Sequence, residues 1–222
     1  MMVVVPSGMS WRKPFLISFV CFWVCHPVFA GYDEGIVAYN LSDFGTARSE
    51  FLQSSEQGDS RSQFMLGRIY ERGLGVDRNP LVAMKWYRLS AGKGHAVAQY
   101  TLAMMHRRGL DPATRPRSGA MGVGGVVATP SQRLGIGYME ALKWFELAAD
   151  QGLADAQYNL GLMYATGNGI PADFIAAHLW WSVAVDYGSE EARRKLVLLE
   201  RLMTEADIGK ARRLAVEWRD KR

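Results

Sequence analysis

The chain has 222 residues, 49% of them apolar and 22% charged, with 26 Lys and Arg against 22 Asp and Glu. That is an ordinary globular mixture, and it excludes collagen-like, coiled-coil and wholly disordered chains. Arg12 and Lys13 are the only charges in residues 1–30, so residues 31–222 carry a net +2, too weak a field to leave a nucleic-acid footprint.

The first thirty residues read as a signal peptide. Arg12 and Lys13 precede an uncharged stretch of eleven residues, Phe15 to Cys25, and Val28-Phe29-Ala30 sets up cleavage after Ala30. Eleven residues fall well short of the roughly 20 that a spanning helix needs. The expectation is a periplasmic or secreted protein with no transmembrane segment once the leader is removed; an uncleaved anchor is the alternative. Cys21 and Cys25 both lie in the leader, so residues 31–222 have no cysteine for a disulfide framework or a thiolate metal site.

One period organises the rest. Ala47-x-x-Glu-Phe51, Ala83-x-x-Trp86-Tyr87, Ala141-x-x-Trp144-Phe145 and Ala177-x-x-Trp180-Trp181 are spaced by 36, 58 and 36 residues, and each is followed by a Gly at 58, 94, 152 or 188. A second motif keeps the register: Gln63-Phe64-x-Leu66-Gly67-x-x-Tyr70, Gln99-Tyr100-x-Leu102-Ala103-x-x-His106 and Gln157-Tyr158-x-Leu160-Gly161-x-x-Tyr164. The middle interval is 36 plus a 22-residue insertion. Two motifs sharing one period specify a repeat architecture.

Each unit reads as two antiparallel helices. Phe64, Leu66, Gly67 and Tyr70 mark a packed face of the first helix. Gly67 and Gly161 cost about 1 kcal/mol each in helix propensity, which suggests a close crossing where a Cβ would collide. Gly73 and Gly167 supply left-handed C-caps, with Gly75 and Gly169 helping the turn. The second helix opens at Asn79-Pro80 or Asp173, and its aromatic pair anchors one unit on the next. The chain then divides into an opening helix pair at 31–58, with a tight turn at Ser42-Asp43, repeat units at 59–94, 95–152 and 153–188, and capping helices at 189–222. The second unit carries an inserted loop at about 110–137. In the cap, Leu196, Leu198, Leu199 and Leu202 continue one helix, and Thr204-x-x-Asp207 opens another with Ile208, Ala211, Leu214, Ala215 and Trp218 on one face.

The run Ala154-x-Ala-Gln-Tyr-x-Leu-Gly-x-x-Tyr-x-x-Gly-x-Gly-Ile170, followed by Ala-x-x-x-Trp, resembles the Sel-1-like repeat, a 36-residue relative of the tetratricopeptide repeat. The resemblance covers nearly all of residues 31–222. It implies an all-α, right-handed superhelical solenoid with a C-terminal helical cap, acting as a protein-interaction scaffold and often exported in bacteria. Some secreted members carry a disulfide in each repeat and are linked to penicillin binding; this chain lacks those cysteines. His106 also departs from the usual Tyr, and the insertion removes the second unit's Gly-x-Gly turn.

Catalytic signatures are sparse. His95, His106 and His178 lack zinc-site spacing, and His106 fills a packed Tyr slot. Ser90-x-x-Lys93 matches a penicillin-recognising nucleophile motif, but its repeat equivalents are Ser54, Ala148 and Ala184, so the position wants a small residue. Gly122-Val-Gly-Gly125 lacks the rest of a phosphate loop. The expectation is no enzyme and no cofactor or metal, with a wall-active hydrolase or a carbohydrate-binding module as rivals.

A binding face reads better. On the first helices one stripe changes between units: Arg61, Met65, Arg68 and Arg72; then Val97, Thr101, Met104 and Arg108; then Asp155, Asn159, Leu162 and Thr166. In stacked helix pairs this is the concave side, the usual binding surface; the alternative is a stripe that varies because nothing constrains it. The insertion adds Arg115 and Arg117, either as a binding loop or as a neutral excursion. Residues 193–222 hold ten basic and five acidic side chains, which suits either weak contact with an anionic surface or a solvated cap. The partner expected on these grounds is another envelope or secreted protein.

Overall fold

In the computed structural model, residues 30–110 and 130–222 are described, with side chains from 31 to 110 and from 137 onward. The leader before Ala30, and Arg115 and Arg117, lie outside the described residues.

Side chains start the helices. Asp43 accepts the Thr46 amide, Asp59 the Arg61 amide, Asn79 the Val82 amide and Asp173 the Ala176 amide, each satisfying an otherwise orphaned N–H. The helices are α1 (Ala30–Asn40), α2 (Phe44–Glu56), α3 (Ser60–Arg72), α4 (Pro80–Gly92), α5 (Ala96–Arg107), α6 (Pro130–Asp150), α7 (Ala154–Thr166), α8 (Phe174–Asp186), α9 (Glu190–Glu200) and α10 (Glu205–Asp220). Glycines with positive φ close each unit at Gly58, Gly94, Gly152 and Gly188, a conformation a Cβ would strain. Each helix packs on the next in sequence through α9, which makes the fold an all-α solenoid; among the described residues there is no strand.

The core is one small-against-large contact repeated four times. A Cβ at Gly67 would fall on the Tyr87 ring, at Gly161 on the Trp181 ring, and at Gly35 on the Phe51 ring. The fourth unit solves the same problem with Ala103 against Phe145, both fully buried in one cluster. The expected close crossing is therefore a helix backbone seated on the face of an aromatic ring from its own hairpin partner. The neighbouring ring of each pair does the bridging between units. Trp86 packs on the cluster of α1–α3, Trp144 on the clusters either side of it, and Trp180 on the cluster of α5–α7.

The repeated Gln has a role that its spacing alone did not disclose. The Nε2 groups of Gln63, Gln99 and Gln157 donate to the carbonyls of Ser55, Ala91 and Ala149, at 3.3, 3.1 and 3.1 Å. Each ties a first helix to the last turn of the helix before it, where carbonyls lack intrahelical partners. His95 is a second undisclosed device. Its Nδ1 accepts the Ala98 amide as the N-cap of α5, and its ring stacks on Phe64 at 4.9 Å.

Two expectations need correction. Residues 130–137, assigned above to the inserted loop, begin α6, and a Cβ at Gly137 would lie 2.7 Å from the His106 carbonyl oxygen. That glycine marks a close helix approach rather than a loop. In the cap, α9 ends at Glu200, so Leu202 does not continue that helix but lies in the turn after it; Leu199 is buried, Leu198 and Leu202 are exposed, and α10 folds back onto α8. Trp218 meets Trp180 edge-on at 5.8 Å, and Arg219 pairs with Asp186 at 2.6 Å.

Two outcomes follow from these contacts. Gly161→Ala is expected to cost about 1–3 kcal/mol by overpacking, and less than additively when combined with Trp181→Leu, as read by urea denaturation. Burial pushes the His95 ring below its ordinary pKa, so the unfolded chain takes up its proton first on acidification. Stability should therefore fall as pH drops from about 7 to 5, and His95→Asn, which keeps a cap without a titrating ring, should flatten that slope in thermal melts.

Candidate protein-binding surface

Several members of the stripe on α3, α5 and α7 reach a neighbouring first helix rather than solvent. The Arg61 guanidinium lies 4.1 Å over the Tyr32 ring and bonds Asp59 at 3.2 Å; that of Arg68 lies 5.6 Å from the Tyr39 ring. These cation–π contacts carry α3 on α1. Between α5 and α7, Arg107 donates to Asn159 Oδ1 at 2.7 Å, while Asn159 Nδ2 donates back to the Asp155 carbonyl. Sequence spacing placed Arg107 outside the stripe; its reach to α7 could not be read from one helix.

The predicted residues therefore separate. Met65 is 5% exposed inside the α1–α3 cluster and Asn159 is 6% exposed, so neither offers a side chain to a partner, which corrects their assignment as contact residues. Met104 and Leu162 pack on the clusters of the following unit. Thr101 and Thr166 turn their hydroxyls onto the Val97 and Leu162 carbonyls. What reaches solvent is Arg72, Val97, Arg108, Asp155 and Thr166, with the heads of Arg61 and Arg68 partly exposed. Beneath them, Tyr87 donates to Glu71 Oε2 at 2.6 Å, and burial together with that carboxylate drives its pKa far up, so the phenol stays protonated.

The chemical candidates are occupied structurally. The Ser90 hydroxyl is fully buried and donates to the Ser60 carbonyl at 2.6 Å, while Lys93 Nζ donates to the Gly58 carbonyl at 2.8 Å. Both hold α4 onto the start of α3, so the Ser-x-x-Lys motif is stitching. His106 is buried in its Tyr slot as expected. Among the described residues no group of three or more His, Cys, Asp or Glu could hold a metal ion, and no helix is long and apolar enough to cross a membrane.

One chain of hydrogen bonds was not anticipated. Ser182 Oγ lies 3.1 Å from His178 Nδ1, and His178 Nε2 lies 3.0 Å from Glu200 Oε1. The order matches a hydrolase triad. Its carboxylate, however, is also held by Arg212 at 2.9 Å, and the imidazole is 1% exposed. This arrangement clamps α8, the end of α9 and α10 together. Hydrogen bonds from His178 and Arg212 hold the Glu200 carboxyl below the ordinary range. Its contribution is complete above the unfolded carboxylate pKa and is lost as pH falls through the folded value. Hydrogen exchange should show α10 loosening below about pH 4.5, and Glu200→Gln should loosen it already at neutral pH.

Comparison with known proteins agrees with this architecture. The Sel1 repeat matches residues 60–95, 96–117, 137–153 and 154–188. Chitin synthase regulatory factor 3 of Schizosaccharomyces pombe is 31% identical over 147 residues, covering 66% of this chain and 14% of that protein. Chitin synthase regulator SKT5 of Saccharomyces cerevisiae is 28% identical over 180 residues, 81% of this chain and 23% of that protein. The chain thus spans less than a quarter of these relatives. A solved Sel1 repeat protein from Oxalobacter formigenes superposes with a TM-score of 0.61 at 24% identity, over 75% of this chain and 60% of that one, which establishes the shared fold.

Proposed function

The chain belongs to the Sel1 repeat family, a protein-binding scaffold fold, and from that premise we propose that it is a non-catalytic adaptor which grips an envelope or secreted protein across its first-helix face. One observation carries this reading. Inside the solenoid the units are alike: Gln63, Gln99 and Gln157 make the same bond, and Gly67, Ala103 and Gly161 meet the same ring. Outside, the same helices differ: Arg68 and Arg72 on α3, Thr101 and Arg108 on α5, Asp155 and Thr166 on α7. A scaffold that is constant where it packs and different where it meets solvent suits selective recognition. The relatives named as regulators of chitin synthase favour a regulatory role over a catalytic one. The leader-like residues 1–30 favour a partner outside the cytoplasm.

Arg72 and Arg108 are exposed cations of this stripe, at the C-terminal ends of α3 and α5. Photo-crosslinkers at both positions should trap one discrete protein in cells that naturally make the chain. Combined reversal to Glu should weaken capture by more than about tenfold, equivalent to about 1.4 kcal/mol, with an unchanged melting temperature. Undiminished capture would move the binding site off this face.

A further inference from the structure

Among the described residues, two helices of the solenoid keep an exposed face that no other helix covers, and the two faces differ in charge. On α1, Tyr32, Ile36 and Tyr39 turn into the core, while Asp33 and Val37, with Leu41 just past the helix end, form an outward stripe beside Glu34. Val37 is 60% exposed and Leu41 76%. On α9 and the turn after it, Leu196 and Leu199 turn inward, while Arg194, Val197, Leu198, Arg201 and Leu202 face out, with Leu202 72% exposed. The helix that a further unit would lay on this side is absent because α10 reverses onto α8. Leu202 also lines a cleft of about 670 Å³ with Ile170, Pro171, Phe174 and Met203. The carboxylates at the rim of this cleft are already committed. Asp173 accepts the Ala176 amide at 3.0 Å, and Asp207 accepts the Thr204 hydroxyl at 2.8 Å. The cleft therefore suits an apolar side chain.

The α1 stripe carries the exposed carboxylates Asp33 and Glu34, whereas the stripe at α9 carries the exposed cation Arg201 and Arg194, the latter already paired with Glu191 at 3.0 Å. Two α1 stripes brought together would set Asp33 and Glu34 against their own copies, and two α9 stripes would do the same with Arg194 and Arg201. Unlike ends attract, and each brings apolar side chains for the other to cover. We propose that the chain associates with a second copy of itself head to tail, the α1 stripe of one copy lying on the α9 stripe and adjoining cleft of the next. Such a contact is heterologous, so it leaves a free end of each kind and extends into open arrays.

Sedimentation velocity of the full chain tests this. The mean mass should pass beyond a dimer as concentration rises, and the association should weaken when salt is raised from about 0.05 to 0.5 M. Leu41→Asp alone, and Leu198→Asp with Leu202→Asp, should each leave monomers; mixing the two variants should restore a 1:1 complex, because each retains one intact end. These positions are exposed, so circular-dichroism melts serve as the folding control. A chain that stays monomeric at every concentration overturns the proposal and leaves the stripes to a different protein. A dimer formed by either variant alone also overturns it, by showing like ends pairing.

Discussion

The solenoid depends on an aromatic ring lying flat against a helix backbone that has no side chain in the way. Tyr87, Trp181 and Phe51 occupy the space a Cβ would take at Gly67, Gly161 and Gly35, while in the remaining unit Phe145 shares a fully buried cluster with Ala103. Glycine inside a helix sacrifices about 1 kcal/mol relative to alanine, but it lets a ring bury its whole face. That contact fixes the angle of each hairpin. With the angle set, the adjoining Trp of α4, α6 and α8 emerges where only the neighbouring unit can cover it. A single hairpin is therefore incomplete, and the array is the stable object.

The same logic separates scaffold from recognition. The positions that set hairpin angle and spacing are small, aromatic or amide, and they bond to backbone: Gln to the preceding helix end, Ser90 to Ser60, His95 to Ala98. Backbone partners do not care which side chains stand nearby, so the outward positions are free to differ. The arginines do both jobs. The Arg61 and Arg68 guanidinium groups lie 4.1 and 5.6 Å from tyrosine rings of α1 while both side chains remain partly exposed. Ser90 and Glu200 are likewise tied to structural partners, Ser90 to the Ser60 carbonyl and Glu200 to His178 and Arg212.

Periodicity made most of this legible. The 36-residue recurrence, the C-cap glycines at 73 and 167 and the N-caps at Asn79 and Asp173 all appear where the spacing puts them. What stayed hidden involved relations between elements. Gly35 belongs to the glycine–ring series, but the short turn at Ser42-Asp43 brings it 16 residues from its ring where Gly67 stands 20 from Tyr87, which broke the alignment. A signal was present, since Tyr32-x-x-Gly35 echoes Phe64-x-x-Gly67. Gly137 falls within the range read as an inserted loop, yet a glycine beside a neighbouring carbonyl is also how helices pack closely. Helical spacing picks out the stripe of variable residues, but that Met65 and Asn159 within it are buried depends on how the helices stack, which no single helix encodes.

The two kinds of surface do not compete for the same residues. Arg72 and Arg108 stand on α3 and α5 in the body of the solenoid, whereas Leu41 and Leu202 stand at opposite ends. A chain joined end to end would repeat its first-helix face at regular intervals, so a partner with more than one copy of a matching segment would bind several faces at once. The second engagement is then governed by effective concentration rather than by new contacts, and a modest single-site affinity suffices. Joining rests on both charge and apolar contact, and the charge part is screened over roughly 8–10 Å at physiological salt. The apolar side chains at each end set what remains when salt is high, which makes the length of the array a property of the surroundings as well as of the sequence.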